Sequence, residues 1–141
     1  MDFRGKIVVH TTSNGTKGMI NATKANEIIT GSFVNAKAIV KYINQNSFDE
    51  ITLVSTASLA FGENNEDIML ASYIKDILEK KVIDETEIKS ELQNSYVAKF
   101  LLQEAKVPGT DIDLCLDFNR FDFIIKQVEM DGRKVLIKQE V

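Results

Sequence analysis

Three apolar, β-branched runs in this chain each lead into a short polar loop and then a helix-patterned stretch: KIVVHT before TSNGT and KGMINA, EIIT before GSF and VNAKAIVKYI, and ITLVST before ASLAFGENN and EDIMLASYI. A chain that repeats strand, loop and helix has few folds open to it, because strands joined through helices lie parallel and set their loops along one edge of the sheet. Open α/β sheets bind ligands at that edge. The sequence therefore predicts an α/β fold with a mostly parallel sheet of repeated strand-loop-helix units, helices on both faces, and one domain over 1–141. The end, FIIKQVEMDGRKVLIKQ, breaks the pattern: alternating strands around Asp131-Gly132 predict a C-terminal β-hairpin that extends the sheet.

The predicted elements follow from periodicity and punctuation. Strands are expected over 6–11, 27–30 and 51–55, with a turn at 47–50. Helices are expected over 16–24, over 35–44 with Ala36, Ile39, Val40 and Ile43 at helical spacing, and over 65–81 with the stripe Ile68, Ala71, Ile74, Ile77 and Leu78. Asp84 with Glu87 three residues on marks a capped helix that breaks near Gln93-Asn94 before another at 96–105. Pro108-Gly109 ends it, and Thr110 is placed to cap a short helix over 111–116.

Composition narrows the function classes. At 141 residues, 44% hydrophobic and 27% charged, the chain is sized for one core, as an ordinary soluble globular domain. A net charge of -4 without a Lys/Arg cluster excludes a nucleic-acid footprint. The sequence has no apolar run of transmembrane length and no signal-peptide pattern, so no membrane partner is expected. A single cysteine, Cys115, can form no internal disulfide and fits a reducing, cytoplasmic location.

The first loop carries the sharpest chemistry. Thr11, Thr12 and Ser13 run into Asn14-Gly15, a pair that tolerates positive φ, and a helix opens at Thr16. Hydroxyls, an amide and the first N–H groups of a helix suit an anion, although a plain strand-to-helix turn uses the same letters. Asn35 reads as a helix N-cap or as a ligand in the second loop. His10, the only histidine, suits a general base by its ordinary pKa, but its place in a strand expected to be buried favours a core or interface role. Cys115 is expected in the core. Lys17 and Arg120 could each meet a phosphate or sulfonate, or simply face solvent.

Taken in order, T-T-S-N-G-T (Thr11 to Thr16), G-S-F-V-N-A (Gly31 to Ala36), Glu66-Asp67 at the start of the third helix, and D-x-N-R-F-D-F (Asp117 to Phe123) resemble the carboxy-terminal half of the 2-phosphosulfolactate phosphatase family. The resemblance implies a Mg²⁺-dependent hydrolysis of a small phosphorylated, sulfonated hydroxy acid, on the route to coenzyme M or a related pathway. It implies phosphate contacts from Thr11, Thr12, Ser13, Asn14, Gly15, Thr16 and Asn35, with Glu66 and Asp67 holding Mg²⁺ among waters and phosphate oxygens. Without it, that acidic pair reads first as a response to the helix dipole and only second as a metal ligand pair. Family members carry a further amino-terminal portion with a D-x-x-R-A-T-like segment, and the third loop here, S-T-A-S-L-A-F-G-E-N-N, departs from the family's glycine-rich A-G-T-like turn. The resemblance accordingly implies either that missing half or a second copy of the chain as partner. The other class of function is a non-catalytic anion-binding or partner-binding half-domain. On that view Phe3 and Ile7 enter a strand whose neighbour lies elsewhere, leaving an apolar sheet edge.

Overall fold

The computed structural model describes residues 4–12, 14–56 and 66–141. Its most regular part is the hairpin at the end. Strand β2 (Phe123–Met130) pairs antiparallel with β3 (Arg133–Glu140), in a register that runs from Phe123 opposite Glu140 to Met130 opposite Arg133. Asp131 and Gly132 close the turn at φ 51° and 70°, the two left-handed residues that match the twist of the flanking strands. A two-residue strand, β1 (Ile29–Thr30), adds antiparallel to β2, giving a three-stranded sheet in the order β1-β2-β3.

The predicted mostly parallel sheet is therefore overturned, and only the broad α/β class stands. Two of its three strands, 6–11 and 51–55, pair with nothing among the described residues. The first is bare, with Ile7 96% exposed and Val9 93%; the second is partly covered, with Val54 70% exposed but Ile51 43% and Leu53 36%. Their β-branched composition is that of a strand buried on both faces, but composition sets a residue's preference and cannot supply the neighbour that pairing needs. His10 goes with them. It is exposed, which overturns the expected core role.

Helices make up the rest. Among them are α1 (Gly15–Asn21), α2 (Ala36–Gln45), which follows a short 3-10 turn at Phe33–Asn35, and α3 (Glu66–Leu78). Then come α4 (Glu85–Asn94), α5 (Tyr96–Gln103) and α6 (Gly109–Cys115). The expected cover of helices on both faces has no wide sheet to cover: α2 lies against β2, and α3 against α2. Ala36, Ile39 and Val40 of α2 are buried as their spacing predicts, and they meet Ile74, Leu92, Leu116 and Ile124 in one cluster. Phe33 stacks on Phe118 at 4.6 Å, with Tyr73 edge-on to Phe118 at 5.3 Å. Pairs of this kind add to what burial alone contributes.

Local signals placed the helix ends well. The Asp84 carboxylate accepts from the backbone N–H groups of Thr86 (2.9 Å) and Glu87 (3.1 Å), the cap its spacing predicts. The break between α4 and α5 falls at Ser95, whose hydroxyl accepts from the Ala98 N–H at 3.1 Å. At α6 the reading fails. The helix starts at Gly109 after Pro108, without a cap from Thr110, and Cys115 at its end stays exposed while the following Leu116 is buried.

Candidate active site

Thr16 holds the first loop by donating two bonds to Thr12. The Thr16 N–H donates to Thr12 Oγ1 at 3.2 Å, and the Thr16 hydroxyl donates to the Thr12 carbonyl at 3.1 Å. Asn14 precedes α1 at φ -124°, and Gly15 is its first helical residue, so neither has the positive φ that the sequence suggested. A Cβ at Gly15 would stand 3.2 Å from Thr12 Oγ1, a tight fit that a shift of a few tenths of an ångström would relieve. Ser13 lies outside the described residues, as do Phe3 and the third loop over 57–65.

The third segment reaches this loop through Thr56. A Cβ on Gly15 would also lie 3.9 Å from Thr56 Oγ1, so the end of 51–56 abuts α1. From the other side Thr56 grips α3: its N–H donates to Asp67 Oδ2 at 2.8 Å, and its hydroxyl donates to the same oxygen at 3.3 Å. Asp67 and the Thr12–Thr16 turn thus belong to one cluster, although α3 and α1 are far apart in sequence. Thr56 was missed by sequence reasoning. Its signal was position, as the polar residue ending an apolar run just ahead of the loop.

Three other predicted ligands divide. Asn35 is 5% exposed and already committed, its Oδ1 accepting from the Ser32 N–H at 3.0 Å and its Nδ2 donating to the Phe123 carbonyl at 3.3 Å. It ties the 3-10 turn to β2 and does not join the first loop's cluster. Glu66 is exposed on the first turn of α3, and adjacent helical residues point about 100° apart, so Glu66 does not share the direction of Asp67. No group of three acidic, His or Cys side chains that would hold a metal occurs among the described residues. The one carboxylate of the cluster is Asp67: its Oδ2 is engaged by Thr56, and its Oδ1 has no partner among the described residues, so it is the group that would hold a hard cation that keeps waters. Arg120 pairs with Asp117 at 2.9 Å on the surface, and Lys17 is exposed.

The D-x-N-R-F stretch serves a second cluster. Asn119, at φ 59°, donates its backbone N–H to the Phe33 carbonyl at 2.9 Å, while its Oδ1 accepts from the Lys37 N–H at 2.9 Å. Its Nδ2 donates to Tyr73 Oη at 2.8 Å and to Glu85 Oε1 at 3.3 Å. Tyr73 in turn donates to Glu85 Oε1 at 2.6 Å, and Lys37 Nζ reaches the same oxygen at 3.0 Å. Burial, reinforced by the Glu85 bond, pushes the Tyr73 hydroxyl up to about 12. The Tyr73 bond, with Lys37 beside it, holds Glu85 below the ordinary carboxylate value. These groups lock α2, α3, α4 and the approach to β2 together.

With the geometry in place, comparison with known proteins is decisive on one point: the family model for 2-phosphosulpholactate phosphatase matches residues 1–130. The chain belongs to that family. A probable 2-phosphosulfolactate phosphatase of Carboxydothermus hydrogenoformans is 28% identical over 146 residues, covering 95% of this chain and 60% of the relative. One from Caldicellulosiruptor saccharolyticus is 39% identical over 77 residues, 52% of this chain and 31% of its own length. One from Clostridium perfringens strain SM101 is 30% identical over 102 residues, 71% of this chain and 40% of the relative. This member of the phosphatase family therefore spans no more than about three fifths of these relatives. No solved structure matches it. No helix among the described residues is long and apolar enough to cross a membrane.

Proposed function

We propose that the chain provides one wall of a phosphatase site that hydrolyses 2-phosphosulfolactate or a similar small phosphorylated hydroxy acid with Mg²⁺, in coenzyme M biosynthesis or a related pathway. The observation that carries this is Thr56, which draws Asp67 of α3 and the Thr12–Thr16 turn of α1 into one cluster. In this reading the hydroxyls of Thr11 and Thr12, the Asn14 amide and the Gly15 N–H face the phosphoryl oxygens. Asp67 would hold Mg²⁺ through its remaining oxygen. The cation, when bound, neutralises developing charge and lowers the pKa of an attacking water. Cys115, exposed and free, suits the reducing cytoplasm in which we place the protein.

The unpaired segments 6–11 and 51–55, the first of them bare, support a second element of the proposal: the opposite wall comes from a further polypeptide portion, of the kind the longer relatives possess, that pairs with these segments. The chain alone then acts as an anion-binding half with little turnover, because positioning supplies much of the rate. The test is phosphate release from 2-phosphosulfolactate, with Mg²⁺ and with a chelator. It compares the chain alone with a chimera carrying the portion of the Carboxydothermus relative that this chain does not span. We expect Mg²⁺-dependent turnover from the chimera, lowered roughly a hundredfold by Asp67→Asn. A chimera that is folded and inert, or whose turnover is indifferent to Asp67, would overturn the reading.

A further inference from the structure

Gly15 and Gly18 lie three residues apart on α1, on one helical face, and Thr56 lies against that face. A Cβ built on Gly18 would come within 2.8 Å of Thr56 Cγ2, closer than a side-chain carbon sits without something shifting, while Thr56 Cβ at 3.9 Å is in ordinary contact. Neither glycine has a positive φ, so the backbone does not demand glycine there. Helix propensity argues against it as well, since Ala is the better former at an interior position. Among the described residues, space for the Thr56 methyl is the reason for Gly18 that the structure supplies.

Thr56 is engaged at three points. Its methyl fills the gap at Gly18, while its N–H and hydroxyl both donate to Asp67 Oδ2. A carboxylate on the first turn of a helix is otherwise free to rotate. Two donors on one oxygen restrict that rotation, and charge-assisted bonds of this kind are the strong ones.

We propose that Thr56 is the positioning residue of the candidate site and that Gly18 is a glycine in order to admit it. Seated by its methyl at Gly18, Thr56 fixes one Asp67 oxygen and so aims the other at whatever the first loop holds. The inference rests on reading that cluster as a site for a phosphate and a cation. Thr56 itself touches neither. Its effect is preorganisation: affinity and rate depend on Asp67 being held before the ligand arrives.

Thr56→Ser gives the idea a clean test, because serine keeps both donors and lacks the methyl that a Cβ at residue 18 would strike. The ¹⁵N-labelled chain would be compared with Gly18→Ala, Thr56→Ser and the double variant. One readout is the shift of the residue 56 amide as acid protonates Asp67; the other is the affinity for Mg²⁺ and for inorganic phosphate in the same spectra. We expect the pH-linked amide shift in the wild-type chain and in Thr56→Ser, its loss in Gly18→Ala, and its return in the double variant. Mg²⁺ affinity should fall about tenfold in Gly18→Ala and recover alongside it. Circular dichroism should show no loss of helix in Gly18→Ala, which separates lost positioning from lost fold. A Gly18→Ala chain with wild-type amide response and affinity, or a double variant no better than Gly18→Ala, would overturn the proposal. A wild-type chain that shows the amide response but binds neither probe would remove the site reading and the positioning role together. Binding that is present but indifferent to Gly18→Ala would remove the positioning role alone.

Discussion

Asn35 has both ends of its side chain occupied before any ligand arrives. Replacing it with Ala leaves the Ser32 N–H and the Phe123 carbonyl without their partner at a buried position, so Asn35→Ala should cost about 1–3 kcal/mol. Urea unfolding measures that loss, and phosphate affinity of the folded variant should not change; a matching drop in affinity would return Asn35 to the site. Tyr73 makes a prediction about pH. Its hydroxyl is raised from 10.0 to about 12 in the folded protein, so the folded state favours the neutral form. The stability this provides is complete below the ordinary value and is lost as pH rises from 10.0 to about 12. Tyr73→Phe, which cannot ionise, should flatten that alkaline fall in thermal midpoint while lowering stability at neutral pH by about 1–2 kcal/mol. Glu85, held low, gives the opposite limb: its contribution is present above the ordinary carboxylate value and fades as acid protonates it. At this scale the sequence was readable where a residue's role is local. Asp84 caps its own helix, whereas the approach of Thr56 to α1 joins residues distant in sequence and was not legible there.

Turn chemistry made the hairpin legible, since Asp131-Gly132 needs nothing beyond itself to set the register of β2 and β3. Pairing of 6–11 and 51–55 was not legible, because a strand's neighbour is never written in the strand. The apolar letters give these segments a preference for burial; they say nothing about what, if anything, buries them. Val9→Lys measures the difference. In the chain alone Val9 is 93% exposed, so the change should move stability by no more than about 0.5 kcal/mol in urea unfolding. In the chimera the same substitution should block assembly and abolish turnover. A large loss of stability in the chain alone would mean that Val9 is already packed.

The molecule as a whole leaves β-branched surface uncovered on two segments while the cluster around α2 stays well packed. Surfaces of that kind find one another, so the chain alone should self-associate reversibly in sedimentation at high micromolar concentration, and the chimera should not. A strictly monomeric chain would count against the assembly reading. The clasp around Glu85 carries a different consequence, in time. Its bonds join residues 48 apart (Lys37 to Glu85), 34 apart (Glu85 to Asn119) and 82 apart (Lys37 to Asn119). Contacts that close such long stretches of chain cost the most entropy and come late in folding. Asn119→Ala should therefore leave the refolding rate nearly unchanged and speed unfolding in stopped-flow denaturant jumps, making this polar knot a timer for how long the native state lasts.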